Sequence, residues 1–139
     1  MKKNRGFSLL ELLIVVAIIL IIATIAIPSL LRSRQAANES GAVANLRTIN
    51  TAEVTYMSGN GGEYGTIDGL VADGLLDERF EGSGVVGGYI YAITLSDSNT
   101  NYVAVATAQS TNTGRNNYYS SPDGVVRYSG GDDAGSPVQ

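Results

Sequence analysis

The sequence contains no cysteine, no histidine and no tryptophan. Its only lysines are Lys2 and Lys3. These absences exclude Ser–His and Cys–His nucleophilic pairs, Schiff-base chemistry from residue 4 onward, and zinc held by histidine or cysteine. They also exclude disulfide staples, so any domain outside a membrane must hold together by packing. Catalysis would have to run on carboxylates, and no acidic pair stands in a cleft-like context. The expectation is a non-enzyme without a cofactor.

Positive charge is scarce as well. Nine Lys and Arg face thirteen Asp and Glu over 139 residues. Three of the nine (Lys2, Lys3 and Arg5) lie in the first six residues. Beyond Gly6 six arginines face thirteen acids, a formal net of −7. A phosphate-tracking surface requires clustered cations, so nucleic-acid binding by the domain as a whole is not expected. An acidic surface does suit a dispersed extracytoplasmic domain.

What is abundant is apolar surface in one run. The hydrophilic stretch Met1–Gly6 stops at Phe7. From Phe7 to Ile27, fifteen of 21 residues are Phe, Leu, Ile or Val and three are Ala; only Ser8, Glu11 and Thr24 are polar. As a helix this run is about 31 Å long, enough to cross a bilayer core. An ionised group deep in a membrane costs roughly 2.5–3.5 kcal/mol. Glu11 lies near one end, where the cost is lower, but it still calls for a cation. One candidate is a leader cation, Lys2, Lys3 or Arg5. Another is the amino group created if the chain is cut between Gly6 and Phe7.

An ordinary signal peptide is a poor fit: the run exceeds the usual apolar region of about 7–15 residues, and Ala26-Ile27-Pro28-Ser29 is a weak cleavage site. A plain membrane-anchored binding domain accounts for the hydrophobicity but not for Glu11 or the Gly6–Phe7 junction. Lys2, Lys3 and Arg5 on one flank, against Arg32 and Arg34 on the other, favour a single-pass topology with the N-terminus cytoplasmic.

The residues Gly6-Phe7-Ser8-Leu9-Leu10-Glu11-Leu12-Leu13-Ile14-Val15-Val16-Ala17-Ile18-Ile19, after a short basic leader, closely resemble the type IV prepilin family. The resemblance covers residues 1 to 31. It implies cleavage between Gly6 and Phe7, N-methylation of Phe7, and a role for Glu11 in assembly. The implied divisions are a cytoplasmic leader over 1–6, a transmembrane and filament-core helix over 7–31, and an extracytoplasmic globular domain over 32–139. Implied partners are copies of the chain, a prepilin peptidase, an assembly ATPase, platform machinery, the inner membrane before assembly and, in a diderm host, an outer-membrane secretin. The implied location is the inner membrane and then an extracellular pilus serving adhesion, twitching motility or DNA uptake. The alternative is a pseudopilin of a type II secretion system. Against it, the chain lacks the Asp-Pro-Trp-Gly motif common in major pseudopilins, and its closing segment Tyr118 to Tyr128 is more similar to certain pilins.

Farther along, Phe7 to about Ser58 reads as one long helix. Pro28 removes a backbone bond, so a kink or loosened segment is expected at residues 24–28. Similar pilins often have a Gly where Leu20 stands, which makes local melting less assured here. Beyond Pro28 the spacing puts Ala42, Val43, Leu46, Ile49, Val54, Tyr56 and Met57 on one apolar face. Glu53 falls within that arc and is expected at its edge, its carboxylate reaching water.

Ser58 to Gly65 is a helix stop and loop. Thr66 to Asp77 suggests a short helix ended by Gly74, and Gly82 to Gly88 a loop. Four strands are expected: Tyr89–Leu95, Tyr102–Ala108, Asn117–Ser120 and Val125–Tyr128. Short links imply an antiparallel meander, and Pro122-Asp123-Gly124 a tight turn. The tail from Ser129 to Gln139 reads as loose. The fold class is α+β, a long helix packed on about four antiparallel strands.

The eight tyrosines read as strand packing with hydroxyls at the surface. Asp123, Asp132 and Asp133 are weak calcium candidates, since major pseudopilins often bind calcium in a C-terminal loop. Otherwise no metal site is expected. Asn38-Glu39-Ser40 matches a glycosylation sequon, which is frequent by chance.

Overall fold

A computed structural model describes residues 6–82, 84–130 and 133–137. Its contacts divide the chain into two units, Met1–Ser33 and Arg34–Gln139. Helix α1 (Leu9–Gly59) supplies the first unit and the opening element of the second.

In the first unit, Ser8 begins the helix by accepting the Leu12 N–H at 3.2 Å. Every large apolar side chain from Phe7 to Leu31 is solvent-exposed in the single chain. The helix is long and apolar enough to cross a membrane by length and composition. Helical structure runs through Pro28 without a break, and residues 24–28 are not melted. The Thr24 hydroxyl donates to Ile21 O, 2.7 Å away.

In the second unit, α1 is followed by α2 (Ile67–Ala72), a single 3-10 turn (Glu78–Phe80) and six strands. The strands are β1 (Val85–Val86), β2 (Tyr89–Ser96), β3 (Asn101–Ala108), β4 (Asn117–Ser120), β5 (Val126–Gly130) and β6 (Asp133–Pro137). They form one antiparallel meander in sequence order. The four expected strands are all present. Two were not expected: Val85–Val86 pairs with Tyr89–Ile90 inside the stretch read as a loop, and Asp133–Pro137 pairs with β5 inside the stretch read as a loose tail. Polar, Gly-rich composition understated both because the neighbouring strand supplies the hydrogen bonds that propensity does not.

Side-chain alternation explains the core. Along β3, Tyr102, Ala104 and Ala106 point inward and are buried. Ala106 lies between Tyr91 and Tyr118, and Ala104 between Ile93 and Ser120. Small residues on the central strand leave room for the tyrosines beside them. Against this face α1 buries Ala42, Leu46, Ile49, Asn50, Ala52 and Glu53. Full burial of a side chain such as Leu46 or Ile49 contributes about 1.5–3 kcal/mol.

The buried face of α1 is rotated from the expected one. Val54 is exposed, whereas Glu53 is fully buried at 0 % exposure rather than reaching water. The tyrosine hydroxyls also differ from expectation. Tyr102 Oη donates to Asn50 Oδ1 at 2.9 Å, and Tyr89 Oη donates to Asn116 O at 2.8 Å. Burial pushes both phenols well above their ordinary pKa.

The chain leaves α2 as expected. Gly74 takes φ 70°, and the Gly74 and Leu75 N–H groups donate to Val71 O and Leu70 O, both at 2.9 Å. This satisfies helix-end carbonyls through a left-handed residue.

Candidate processing and assembly site

The candidate site is the start of α1. Gly6 and Phe7 precede the helix in non-helical backbone, and Phe7 is 87 % exposed. A Cβ at Gly6 would meet nothing within 4 Å. Glu11 is exposed, and its Oε2 accepts the Ser8 N–H at 3.5 Å. Ser8 and Glu11 thus occupy N-cap and N3, and the acid reaches back over the first turn as in one half of a capping box. The Ser-x-x-Glu spacing of Ser8 and Glu11 carries this signal within the apolar run. The acid also meets the positive end of the helix dipole.

The Ser8 nitrogen lies one residue beyond the nitrogen of Phe7. Glu11 therefore places its carboxylate at the same helix end as the amine that cleavage after Gly6 would create. Its second oxygen makes no hydrogen bond within the described chain. Lys2, Lys3 and Arg5 lie outside the described residues.

The remaining candidates belong to the second unit. Asp123 sits in the Ser121–Gly124 turn, closed by Gly124 N to Ser121 O at 2.9 Å with Gly124 at φ 73°. Its carboxylate accepts from Ser121 Oγ and Val125 N, each at 3.0 Å, and from Arg127 Nη2 at 2.5 Å. The Arg127 guanidinium, aided by the Val125 N–H, holds its pKa down at about 2. These bonds occupy the carboxylate with protein donors. Asp132 lies outside the described residues, and Asp133 belongs to β6. No group of three or more acids suited to a metal occurs among the described residues.

A polar clamp joins α1 to the β3–β4 loop. Gln35 Nε2 donates to Thr111 O at 2.6 Å, Asn38 Nδ2 to Thr113 O at 2.8 Å, and Arg115 N to Glu39 Oε1 at 2.8 Å. The Asn38 nitrogen of the sequon is thus engaged in a half-buried tertiary bond.

The family described as the prokaryotic N-terminal methylation motif matches residues 1–27. The chain is similar to the type IV major pilin protein PilA of Myxococcus xanthus, 46% identical over 56 residues, 40% of this chain and 26% of that protein. It is similar to the type IV wide pilus major component PilA4 of Thermus thermophilus, 37% identical over 75 residues, 54% of this chain and 57% of that one. It is also similar to the type II secretion system core protein G of Vibrio cholerae, 35% identical over 72 residues, 52% of this chain and 49% of that one. The chain thus spans between about a quarter and just over half of the length of these relatives. The chain carries the prokaryotic N-terminal methylation motif and is similar over part of its length to type IV pilins and to a type II secretion core protein.

Proposed function

We propose that the chain is a structural subunit of a type IV pilus filament. A prepilin peptidase cuts it after Gly6, Phe7 is N-methylated, and copies polymerise through Phe7–Leu31. The observation that carries this reading is the Phe7–Glu11 arrangement: an accessible junction followed by one acid at the start of an otherwise apolar helix. In the membrane the apolar surface anchors the chain. In a fibre the same surface packs against other copies, and head-to-tail contacts that do not close make a filament. An ionised Glu11 among apolar helices would be costly if unpaired, so pairing with the Phe7 amine of a neighbouring copy selects axial register. Pilus ATPase and platform machinery, the inner-membrane topology and the divisions 1–6, 7–31 and 32–139 follow from this reading.

The similarity to the type II secretion core protein G supports a second reading, a pseudopilin in a short periplasmic fibre. Both readings are of a filament subunit without catalytic activity.

The test is Glu11→Ala. Its side chain is exposed and bonds only within its own first turn, so membrane insertion and folding stay intact. Filament yield falls sharply while the membrane-bound pool persists. Normal yield from this variant would sink the assembly role.

A further inference from the structure

Two buried side-chain atoms lack a hydrogen-bond partner among the described residues: Asn50 Nδ2 and Glu53 Oε1. Glu53 is fully buried, and its other oxygen, Oε2, accepts the Gly65 N–H at 2.9 Å. Neither ion pair among the described residues, Arg79–Asp77 nor Arg127–Asp123, includes it. The charges that raise the Tyr102 phenol pKa are those of acids, Glu53 itself, Tyr64 of the connection after α1 and Asp123 of the β4–β5 turn. On α1, Arg47 is exposed; Glu63 of the connection accepts from Asn99 Nδ2 at 3.5 Å; Asp68 of α2 is exposed. An ionised carboxylate would therefore sit dry, without a cation and with a single backbone donor, an expensive state that protonation relieves.

The bond to Gly65 continues into a second loop. Tyr64 N donates to Asn99 O at 2.8 Å, and the Tyr64 ring packs edge-on against Tyr102 with centroids 4.7 Å apart. Asn99 ends three consecutive non-glycine residues in left-handed backbone, Asp97, Ser98 and Asn99, at φ 53°, 56° and 65°. Such strain persists only where neighbours hold it in place. Gly65 itself lies so close to Tyr56 that a Cβ there would come 3.0 Å from the ring. Thus Glu53 holds Gly65, and Tyr64 beside it holds the strained turn.

We propose that Glu53 is carried as the neutral acid in the folded domain and acts as a proton-controlled latch on the surface made by residues 60–65 and the Asp97–Asn99 turn. Ionisation drives its carboxylate toward water, releases the Gly65 N–H and loosens both loops. Burial raises the Glu53 pKa, and the Gly65 N–H offsets this only in part. The folded state therefore holds this proton more tightly than the unfolded chain. The stabilisation is complete below the unfolded glutamate value of about 4.3 and is lost as pH rises through the folded value.

The test uses the unassembled full chain in detergent micelles, so it fails or succeeds independently of the filament reading. Amide exchange at Tyr64 and Gly65, whose N–H groups donate to Asn99 O and Glu53 Oε2, is compared between wild type and Glu53→Gln at each pH. The glutamine oxygen still accepts from Gly65 and the side chain stays neutral. Protection in wild type, relative to the variant, falls by up to about tenfold per pH unit between the unfolded glutamate value and the folded pKa, and levels off above it. A ratio that stays flat with pH overturns the latch. The Glu53 carboxyl carbon resonance in wild type gives a second readout that does not depend on the variant folding. Titration well above the ordinary glutamate range is the expected result, and titration within that range overturns the proposal.

Discussion

Ser120 Oγ donates to Asn50 Oδ1 at 2.7 Å, joining β4 to α1 across 70 residues of sequence. The same oxygen accepts from Tyr102 Oη at 2.9 Å, so one amide ties two adjacent strands to the helix. All three side chains are buried. Replacing Asn50 by Ala strands both hydroxyls, and leaving a buried hydroxyl unsatisfied costs about 1–3 kcal/mol. Asn50→Ala should lower the thermal midpoint by several degrees. Ser120→Ala, which leaves Tyr102 paired, should cost less. Equal midpoints for all three proteins would show that the amide does not fasten the helix to the sheet.

Gly114 lies against the ring of Tyr89, and a Cβ there would come within 2.6 Å of Cζ and overlap the hydroxyl oxygen. Tyr89 is fully buried and its hydroxyl is fixed on Asn116 O, so the ring cannot swing away. Overpacking of this kind costs typically about 1–3 kcal/mol. Gly114→Ala should be destabilised by that order in chemical denaturation. Adding Tyr89→Phe to Gly114→Ala removes the overlapping oxygen and should recover part of the loss. An unaffected Gly114→Ala would contradict this packing.

Asp123 and Arg127 provide a pH-dependent contact on the surface. With the Asp123 pKa lowered to about 2, the folded state holds its proton less tightly than the unfolded chain, whose value is about 3.9. The stabilisation is present above the unfolded value and is lost as pH falls through the folded one. In Arg127→Met the Asp123 carboxyl should titrate closer to the ordinary aspartate range, as read from its carbon resonance. No upward move would show that the Val125 and Ser121 bonds alone hold it down.

Much of this architecture was legible from residue order because local pattern and final environment agree. The apolar run from Phe7, the short helix before Gly74, the four main strands and the Pro122-Asp123-Gly124 turn all carry their own period or turn chemistry. The misreadings share one cause: a tertiary partner decided the outcome. Glu53 is inside and Val54 outside because the sheet lies against the Leu46, Ile49 and Asn50 side of α1. Asp133–Pro137 is a strand because β5 offers an edge to it. The tyrosine hydroxyls turn inward because Asn50 and Asn116 O lie opposite them. At the candidate site Gly6, Phe7 and Glu11 could be singled out at once, since one acid and one junction interrupt an otherwise uniform sequence. The Ser8–Glu11 bond follows from a Ser-x-x-Glu spacing that the apolar run obscured.

The central claim is that this chain is cut at Gly6–Phe7 and assembled into a fibre. The most direct measurement is intact mass spectrometry of material sheared from the surface of the native cells. The account predicts an abundant chain that begins at N-methyl-Phe7. A chain in that fraction that still begins at Met1 would contradict it. A processed chain confined to the cell membranes would contradict the surface pilus and favour the pseudopilin reading.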